Sequence, residues 1–484
     1  MASLMIISIL LPLIGALVLY FGKLKNRNVL NIIAFAISAV VFVLSTTICF
    51  TNSLRIELFQ IAKDITVLLK ADIISKFFAV IISCVFTIIS VFSYKYLTIE
   101  ENEKKFHSFY LLTLTMLMAL CYAGNLTTMY LAFELVTLCS MPLVMHSRTQ
   151  ESIKAALKYL YYSLGGAFVG LIGIFFMVYF STGSDEFVLG GFLDTVKVQD
   201  YSSLMQVVVF ITLIGFGVKT GVFPFQGWLP TAHPVAPSPA SAVLSGIVTK
   251  AGVIAIIRIV YFSIGSAFIK DTWVQYAWIS IILFTIFMGS SMALIQKNFK
   301  KRLAYSTVSQ VSYIVLGIAM LNEEALSGSF LHIASHALIK VGLFLVAGAI
   351  ILYTEKHEVD ELEGIGKQLP VTMICYTVLS LGLIGIPPAG AFVSKWYLAI
   401  GSIDSGLNVL DYLAPAVLLI SAILTAAYLL PIAVRAFIVK DKSVVLEKKQ
   451  ESLYITIPLV VLTILSTCVG LFADQIVDIV KNLV

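Results

Sequence analysis

Runs of apolar residues divide the chain into about fourteen stretches, each long enough at roughly 20 residues to cross a hydrocarbon core about 30 Å thick. They fall at residues 3–22, 28–50, 72–94, 107–124, 126–146, 155–181, 203–223, 238–262, 274–296, 303–321, 327–353, 370–400, 411–437 and 452–474. The expected fold is an all-α polytopic membrane protein. The first stretch has neither a basic leader nor a small-residue cleavage site after it, so it is expected to stay as a helix rather than to be removed as a signal peptide. Two connecting segments, 54–69 and 186–198, are rich in β-branched and aromatic residues with partial alternation, and each predicts a short hairpin.

Two stretches are interrupted. Residues 219–239, KTGVFPFQGWLPTAHPVAPSP, hold Pro224, Pro230, Pro234, Pro237 and Pro239, which prevent continuous helix. Residues 382–395, GLIGIPPAGAFVSK, break the twelfth stretch at Gly385, Pro387, Pro388 and Gly390. Backbone freed at membrane depth is tolerated only where it is buried in protein or faces a watered cavity, so both breaks are channel candidates. They lie in stretches seven and twelve, whose odd separation makes them run in opposite directions, and matched broken helices in two halves point to an inverted repeat. The expected organisation is helices 1–3 in residues 1–100, a first inverted repeat of helices 4–8 in 101–262, a second of helices 9–13 in 263–437, and a cytoplasmic loop with the last helix in 438–484. Two unrelated proline kinks are the competing reading.

The composition agrees with a membrane protein. Of 484 residues 59% are hydrophobic and 12% charged, against about 45–50% apolar and about 25% charged in soluble domains. No Walker or Rossmann glycine pattern appears, and the loops are too short for a nucleotide-binding domain. The net charge of +5 is not a nucleic-acid signal, because the basic residues gather by loop. They are Lys23, Lys25 and Arg27; Lys95, Lys104 and Lys105; Lys297, Lys300, Lys301 and Arg302; and Arg435, Lys440, Lys442, Lys448 and Lys449. The positive-inside rule puts these loops in the cytoplasm and both termini outside, in a prokaryotic cell (inner) membrane. Six cysteines stand singly in or beside helices, as small packing residues do; neither a disulfide frame nor a metal, iron–sulfur or other cofactor is expected.

Ionisable residues inside apolar stretches carry the candidate chemistry. Glu134 lies well within the fifth stretch, Lys219 closes the first half of the broken seventh, Lys250 lies in the eighth, Lys340 in the eleventh, and Lys395 just beyond the break in the twelfth. A lysine at the membrane centre costs about 2.5–3.5 kcal/mol, so a set of four with a glutamate has a use. Taken singly, Lys250 or Lys395 could instead snorkel to an interface. His332, His336 and Lys340 recur at every fourth position, on one helix face, as a proton relay would require. Hydrogen-bonded packing histidines are one alternative; a haem pair is another, although haem takes ligands from facing helices. A buried lysine exchanges its proton readily, so Glu134 approaching or receding from Lys219 would load or eject one. Hard carboxylate ligands for sodium are not evident beyond Glu134 and Asp72, which favours protons as the ion carried. A line of single charges also differs from the roomy polar pocket of an organic-solute transporter.

In this order, LTTMYLAFEL, KTGVFPFQGWLPTAHPVAPSPASAVLSGIVTK, KNFKKRLAYSTVSQVSYIVLG, the HxxxHxxxK face and GIPPAGAFVSK resemble the antiporter-like subunits shared by respiratory complex I, membrane-bound hydrogenases and the Mrp multisubunit sodium/proton antiporters. The resemblance spans essentially the whole chain. It implies fourteen helices with two inverted five-helix repeats, a proton path along a central polar axis, and assembly in the bilayer beside homologous antiporter-like subunits and small membrane subunits. Residue by residue it implies Glu134 and Lys219 as the pair of one half-channel, Lys250 with His332, His336 and Lys340 as the connection, and Lys395 as the gate of the other. With about ten residues after its last apolar stretch, the chain is not expected to carry the long lateral helix of the largest complex I member, and Lys395 stands where another member that it resembles carries glutamate. The D-type Mrp subunit, with protons and sodium as its ions, is the branch it is most similar to; the pump module of a quinone oxidoreductase or hydrogenase is the alternative.

Overall fold

The computed structural model describes residues 2–24, 26–62, 65–438 and 448–481. Lys25, Lys440 and Lys442, counted above among the loop charges, lie outside the described residues. The helices are α1 (Ala2–Phe21), α2 (Arg27–Cys49), α3 (Ile73–Tyr96), α4 (Glu103–Cys121), α5 (Leu126–Val144), α6 (Gln150–Tyr179), α7 (Ser202–Thr220), α8 (Ser238–Ser263), α9 (Trp273–Ile295), α10 (Phe299–Ala319), α11 (Glu323–Thr354), α12 (Pro370–Ile384), α13 (Gly390–Ile403), α14 (Val409–Phe437), α15 (Leu453–Leu471) and α16 (Ala473–Val480). Each apolar stretch of the sequence coincides with one of them, the twelfth being split into α12 and α13. Among the described residues eleven are both long and apolar enough to cross a bilayer. The chain is a polytopic, all-helical membrane protein. α4 falls short because its first turns carry Glu103, Lys104, Lys105 and His107; α10 does so because Ser306, Thr307, Ser309, Gln310 and Ser312 line its buried length.

α8 and α11 form the centre. The whole of Ser238–Ser263 is buried, as is α11 from Ala325 to Ile350. α1, α2, α6 and α14 surround them and turn apolar side chains such as Ile14, Val43, Phe175 and Ile423 outward, as lipid-facing helices do. Close crossings use small residues: a Cβ at Gly166 of α6 would lie 2.6 Å from the carbonyl of Gly215 on α7.

One end of the bundle carries the expected hairpin, β1 (Leu54–Ala62) paired antiparallel with β2 (Ile65–Ala71); this end is the hairpin face. There Asp72 caps α3 by accepting from the Ser75 amide at 2.9 Å and takes both guanidinium nitrogens of Arg258, at 2.6 and 2.9 Å. Burial raises the Asp72 carboxyl, but the Arg258 charge and the Ser75 bonds outweigh it and hold it below its ordinary 3.8. At the opposite, basic face, Arg27 pairs with Glu103 and Arg435 with Asp360.

Two expectations need correction. Residues 186–198 do not form a hairpin. Val188, Gly190 and Phe192 donate their amides to the carbonyls of Phe262, Tyr261 and Ser263, so the end of α8 takes the hydrogen bonds a partner strand would have used. The segment then closes in a helical turn, Thr195–Gln199, capped by Asp194. Arg27, Lys95, Lys104, Lys105, Lys300, Lys301, Arg302 and Arg435 are not loop residues either, since they lie in the end turns of α2, α3, α4, α10 and α14; Lys300 is buried and donates to the carbonyl of Ala236 at 2.7 Å.

Candidate functional site: a polar axis through the buried helices

The axis begins where α7 ends. Gly221, in the left-handed region at φ 82°, stops the helix, and Lys219 in its last turn is 1% exposed. Its Nζ donates to the Thr137 hydroxyl and, at 3.2 Å, to the Tyr159 hydroxyl, which in turn lies 2.7 Å from Ser140 Oγ. The ammonium also faces the rings of Phe133 and Tyr159, at 5.3 and 5.1 Å. Glu134 is half-buried on α5. One carboxylate oxygen accepts from Tyr130 at 2.9 Å, and the other is buried without a protein partner. The expected Glu134 and Lys219 are thus neighbours in electrostatic reach, but each is hydrogen-bonded to hydroxyls rather than to the other.

The break after α7 is spanned by Trp228, whose indole donates to the Val218 carbonyl at 3.0 Å. Pro224 lies in the turn, and Pro230 in the first turn of the short helix Leu229–Val235, where its missing N–H costs nothing.

In α8 a π-helical turn over Leu244–Val248 precedes Lys250. Lys250 is 2% exposed, so snorkelling fails for it; its Nζ lies 3.1 Å from the Ser245 carbonyl and 2.5 Å from His336 Nδ1. The ring of His336 stacks on that of His332, centroids 5.9 Å apart, and His332 Nδ1 lies 2.8 Å from Ser394 Oγ on α13. Both histidines keep a buried Nε2 with no protein partner. Lys395, next to Ser394, is half-buried and donates to the carbonyls of Leu383 and Ile384 at 2.8 and 2.7 Å. It therefore caps α12, whose end at Gly385 (φ 98°) precedes Pro387 and Pro388, and meets the negative end of that helix dipole rather than an interface. Its charge also faces the ring of Tyr313 at 5.5 Å.

Lys340 shares the α11 face with the histidines but bonds elsewhere, to the Leu303 carbonyl at 3.1 Å and Ser306 Oγ at 2.6 Å; Ser306 in turn accepts from Tyr428 at 2.7 Å. The structure thus links Lys250, His336, His332 and Ser394 beside Lys395, and leaves Lys219 and Lys340 as separate hydrogen-bonded groups.

Sequence reasoning missed the hydroxyl partners Thr137, Tyr159, Ser306, Ser394 and Tyr428, together with Gln310 and His233, buried and without protein partners. The only available signal was polarity in otherwise apolar runs: α10 is too polar for a lipid-facing helix, and His233 sits inside the broken segment.

The sequence matches the family described as NADH:quinone oxidoreductase/Mrp antiporter, TM, over residues 123–420. It is 35% identical over 340 residues to the N subunit of the NADH-quinone oxidoreductase of Desulforudis audaxviator, covering 70% of this chain and 66% of that one. It is 26% identical over 480 residues to the D-type subunit of the Na(+)/H(+) antiporter of Alkalihalophilus pseudofirmus, covering 98% and 95%. In fold it is similar to a chain of the Mrp complex from Dietzia sp., with TM-score 0.87 and 20% identity, covering 100% of this chain and 96% of that one. Its relatives and structural neighbours are subunits of multisubunit membrane complexes. The chain belongs to the NADH:quinone oxidoreductase/Mrp antiporter transmembrane family.

Proposed function

We propose that the chain is the proton-translocating subunit of a multisubunit monovalent cation (sodium)/proton antiporter. The observation that carries this reading is the likeness to the D-type antiporter subunit over nearly the full length of both chains. Protons would enter or leave by Glu134 and Lys219, pass along Lys250, His336 and His332, with Lys340 as a side branch, and reach Lys395. Lys250 Nζ and His336 Nδ1 are in direct hydrogen-bonding contact, so a proton would pass between them without a bridging water. The partnerless Nε2 atoms of His332 and His336 and the amide of Gln310 offer hydrogen-bonding positions for water between these groups. The two half-helices that end at left-handed Gly221 and Gly385, each followed by proline, support two inverted five-helix units in 101–262 and 263–437. The basic face would lie in the cytoplasm and the hairpin face, with both termini, outside. Homologous antiporter-like subunits and small membrane subunits would flank the chain.

The 35% identity to a quinone oxidoreductase subunit favours a second reading, in which the same axis serves a redox-driven pump. Cation-dependent proton antiport in everted vesicles carrying the native assembly decides between them, with wild type compared with Glu134→Ala and Lys219→Ala at matched assembly. Sodium collapsing the proton gradient in wild type and in neither variant supports the antiporter. A gradient built only from a redox substrate, and lost in the variants, gives the pump.

A further inference from the structure

α3 and α15 touch at the basic face, where the rings of Tyr94 and Tyr454 stack with centroids 4.3 Å apart. Toward the hairpin face they separate, and the wedge between them is a cavity of 820 Å³. Its floor is α11, through Ala334 and Leu338; its walls are α3 and α15, with Val80, Cys84 and Leu465 among the lining residues, and Cys49 of α2 and Gln475 and Ile476 of α16 line it as well. A volume of this size lies within the range of about 300–1,000 Å³ typical of ligand sites. The wall on α3 runs from Ile73 to Cys84, about 16 Å at 1.5 Å per residue, or one half of a hydrocarbon core about 30 Å thick. A partner transmembrane helix needs the whole depth, whereas this wedge ends at the stacked Tyr94 and Tyr454 rings, beyond which a separate, smaller cavity of 410 Å³ is lined by Ile32, Ser90 and Val91. An amphiphile from one leaflet needs only the depth that the wedge offers.

Charge is arranged in the same sense. The charged lining residues, Asp72 and Lys76, both lie at the end by the hairpin face. Asp72 is committed to Arg258, whereas Lys76 is half-buried, donates only to the Thr51 carbonyl at 2.6 Å, and has no acidic partner among the described residues. An unpaired cation over an apolar wedge one leaflet deep matches a phosphate above acyl chains.

We propose that this wedge binds one phospholipid from the leaflet on the hairpin face, with its acyl chains against Val80, Ala334 and Leu465 and its phosphate at Lys76, and with a preference for an anionic headgroup. The floor gives the lipid a role. Ala334 and Leu338 each follow a relay histidine, His332 and His336, by two residues, about 200° around α11. Bound chains therefore brace the back of the helix whose front carries those histidines.

The test is native mass spectrometry of the chain purified with its accompanying subunits, after passage through vesicles of phosphatidylglycerol and phosphatidylethanolamine. Wild type is expected to retain one phospholipid, mainly phosphatidylglycerol. Lys76→Gln is expected to retain phosphatidylglycerol about fivefold less well, and Val80→Trp and Ala334→Phe, which fill the wedge from wall and floor, to lose the bound lipid. Ile423→Phe, on the exposed face of α14, serves as the control and should bind as wild type does. Equal retention in wild type and both wedge-filling variants overturns the proposal. So does a partner-subunit segment or a quinone, rather than a phospholipid, crosslinked to Cys84. Should Ala334→Phe fail to assemble, Val80→Trp, on the half-buried wall, carries the same comparison.

Discussion

Lys250 Nζ and His336 Nδ1 lie 2.5 Å apart between α8 and α11, and neither side chain reaches solvent. With Lys250 as donor, His336 must carry its proton on the partnerless Nε2. In the proposed path the two residues work as one unit, with the proton passing directly between them. Lys250→Met and His336→Leu should each bring proton antiport to background, and the double variant should be no worse than either. A double-mutant cycle on thermal unfolding should give a coupling of about 0.5–3 kcal/mol, as residues in direct contact do. Additive losses in transport and stability would separate the two residues and break the relay at this point.

Lys395 caps α12 and, in the proposed path, also passes protons, and one substitution can tell these two roles apart. Lys395→Met removes the donor to the carbonyls of Leu383 and Ile384, which should cost about 1–3 kcal/mol of stability. Lys395→Arg keeps the donors but holds its proton far more firmly. The arginine variant should unfold near the wild-type temperature yet fail to transport. Full transport by Lys395→Arg would reduce Lys395 to a helix cap.

The second helix break rests on a glycine far from it in sequence. A Cβ on Gly470 of α15 would lie 2.0 Å from the Pro388 carbonyl and 2.7 Å from Gly390 N. Gly470→Ala should therefore shift the break and reduce transport several-fold while the chain still inserts. Gly165→Ala meets open space and should be neutral or slightly stabilising, by up to about 1 kcal/mol. Parallel transport assays on membranes with matched protein content make the comparison.

Asp72 predicts a pH dependence with a definite sign. Its folded carboxyl sits below the ordinary value of 3.8, because Arg258 and Ser75 outweigh the effect of burial. The stability it contributes is therefore complete above that ordinary value and is lost as pH falls through the lower, folded one. Asp72→Ala strands a guanidinium that is 1% exposed, which should cost about 3 kcal/mol or more at neutral pH. Unfolding of wild type and Asp72→Ala in detergent should show a gap that is constant from neutral pH down to about pH 4 and closes below it. A gap that stays open in acid would place the contribution in packing rather than in the ion pair.

Local chemistry made much of the protein legible in advance. Apolar runs mark the helices because a bilayer leaves the backbone no other way to satisfy its hydrogen bonds. The prolines at 224, 230, 387 and 388 mark the breaks because they lack the N–H a helix needs, and the i, i+4 spacing of His332, His336 and Lys340 marks one face because the helical repeat is covalent geometry. The pairing of the hairpin at 54–69 was equally local. Only the tertiary structure decided which side chains meet across helices. It gave Lys219 to Thr137 and Tyr159 rather than to Glu134, gave Lys250 to His336 but Lys340 to Ser306, turned the amides of 188–192 onto the end of α8, and opened a wedge between α3 and α15. Sequence spacing sets the direction in which a side chain leaves its own helix. The distance to its partner is set by how neighbouring helices cross, through contacts such as Gly166 on Gly215 and Tyr94 on Tyr454 that join residues far apart in the chain.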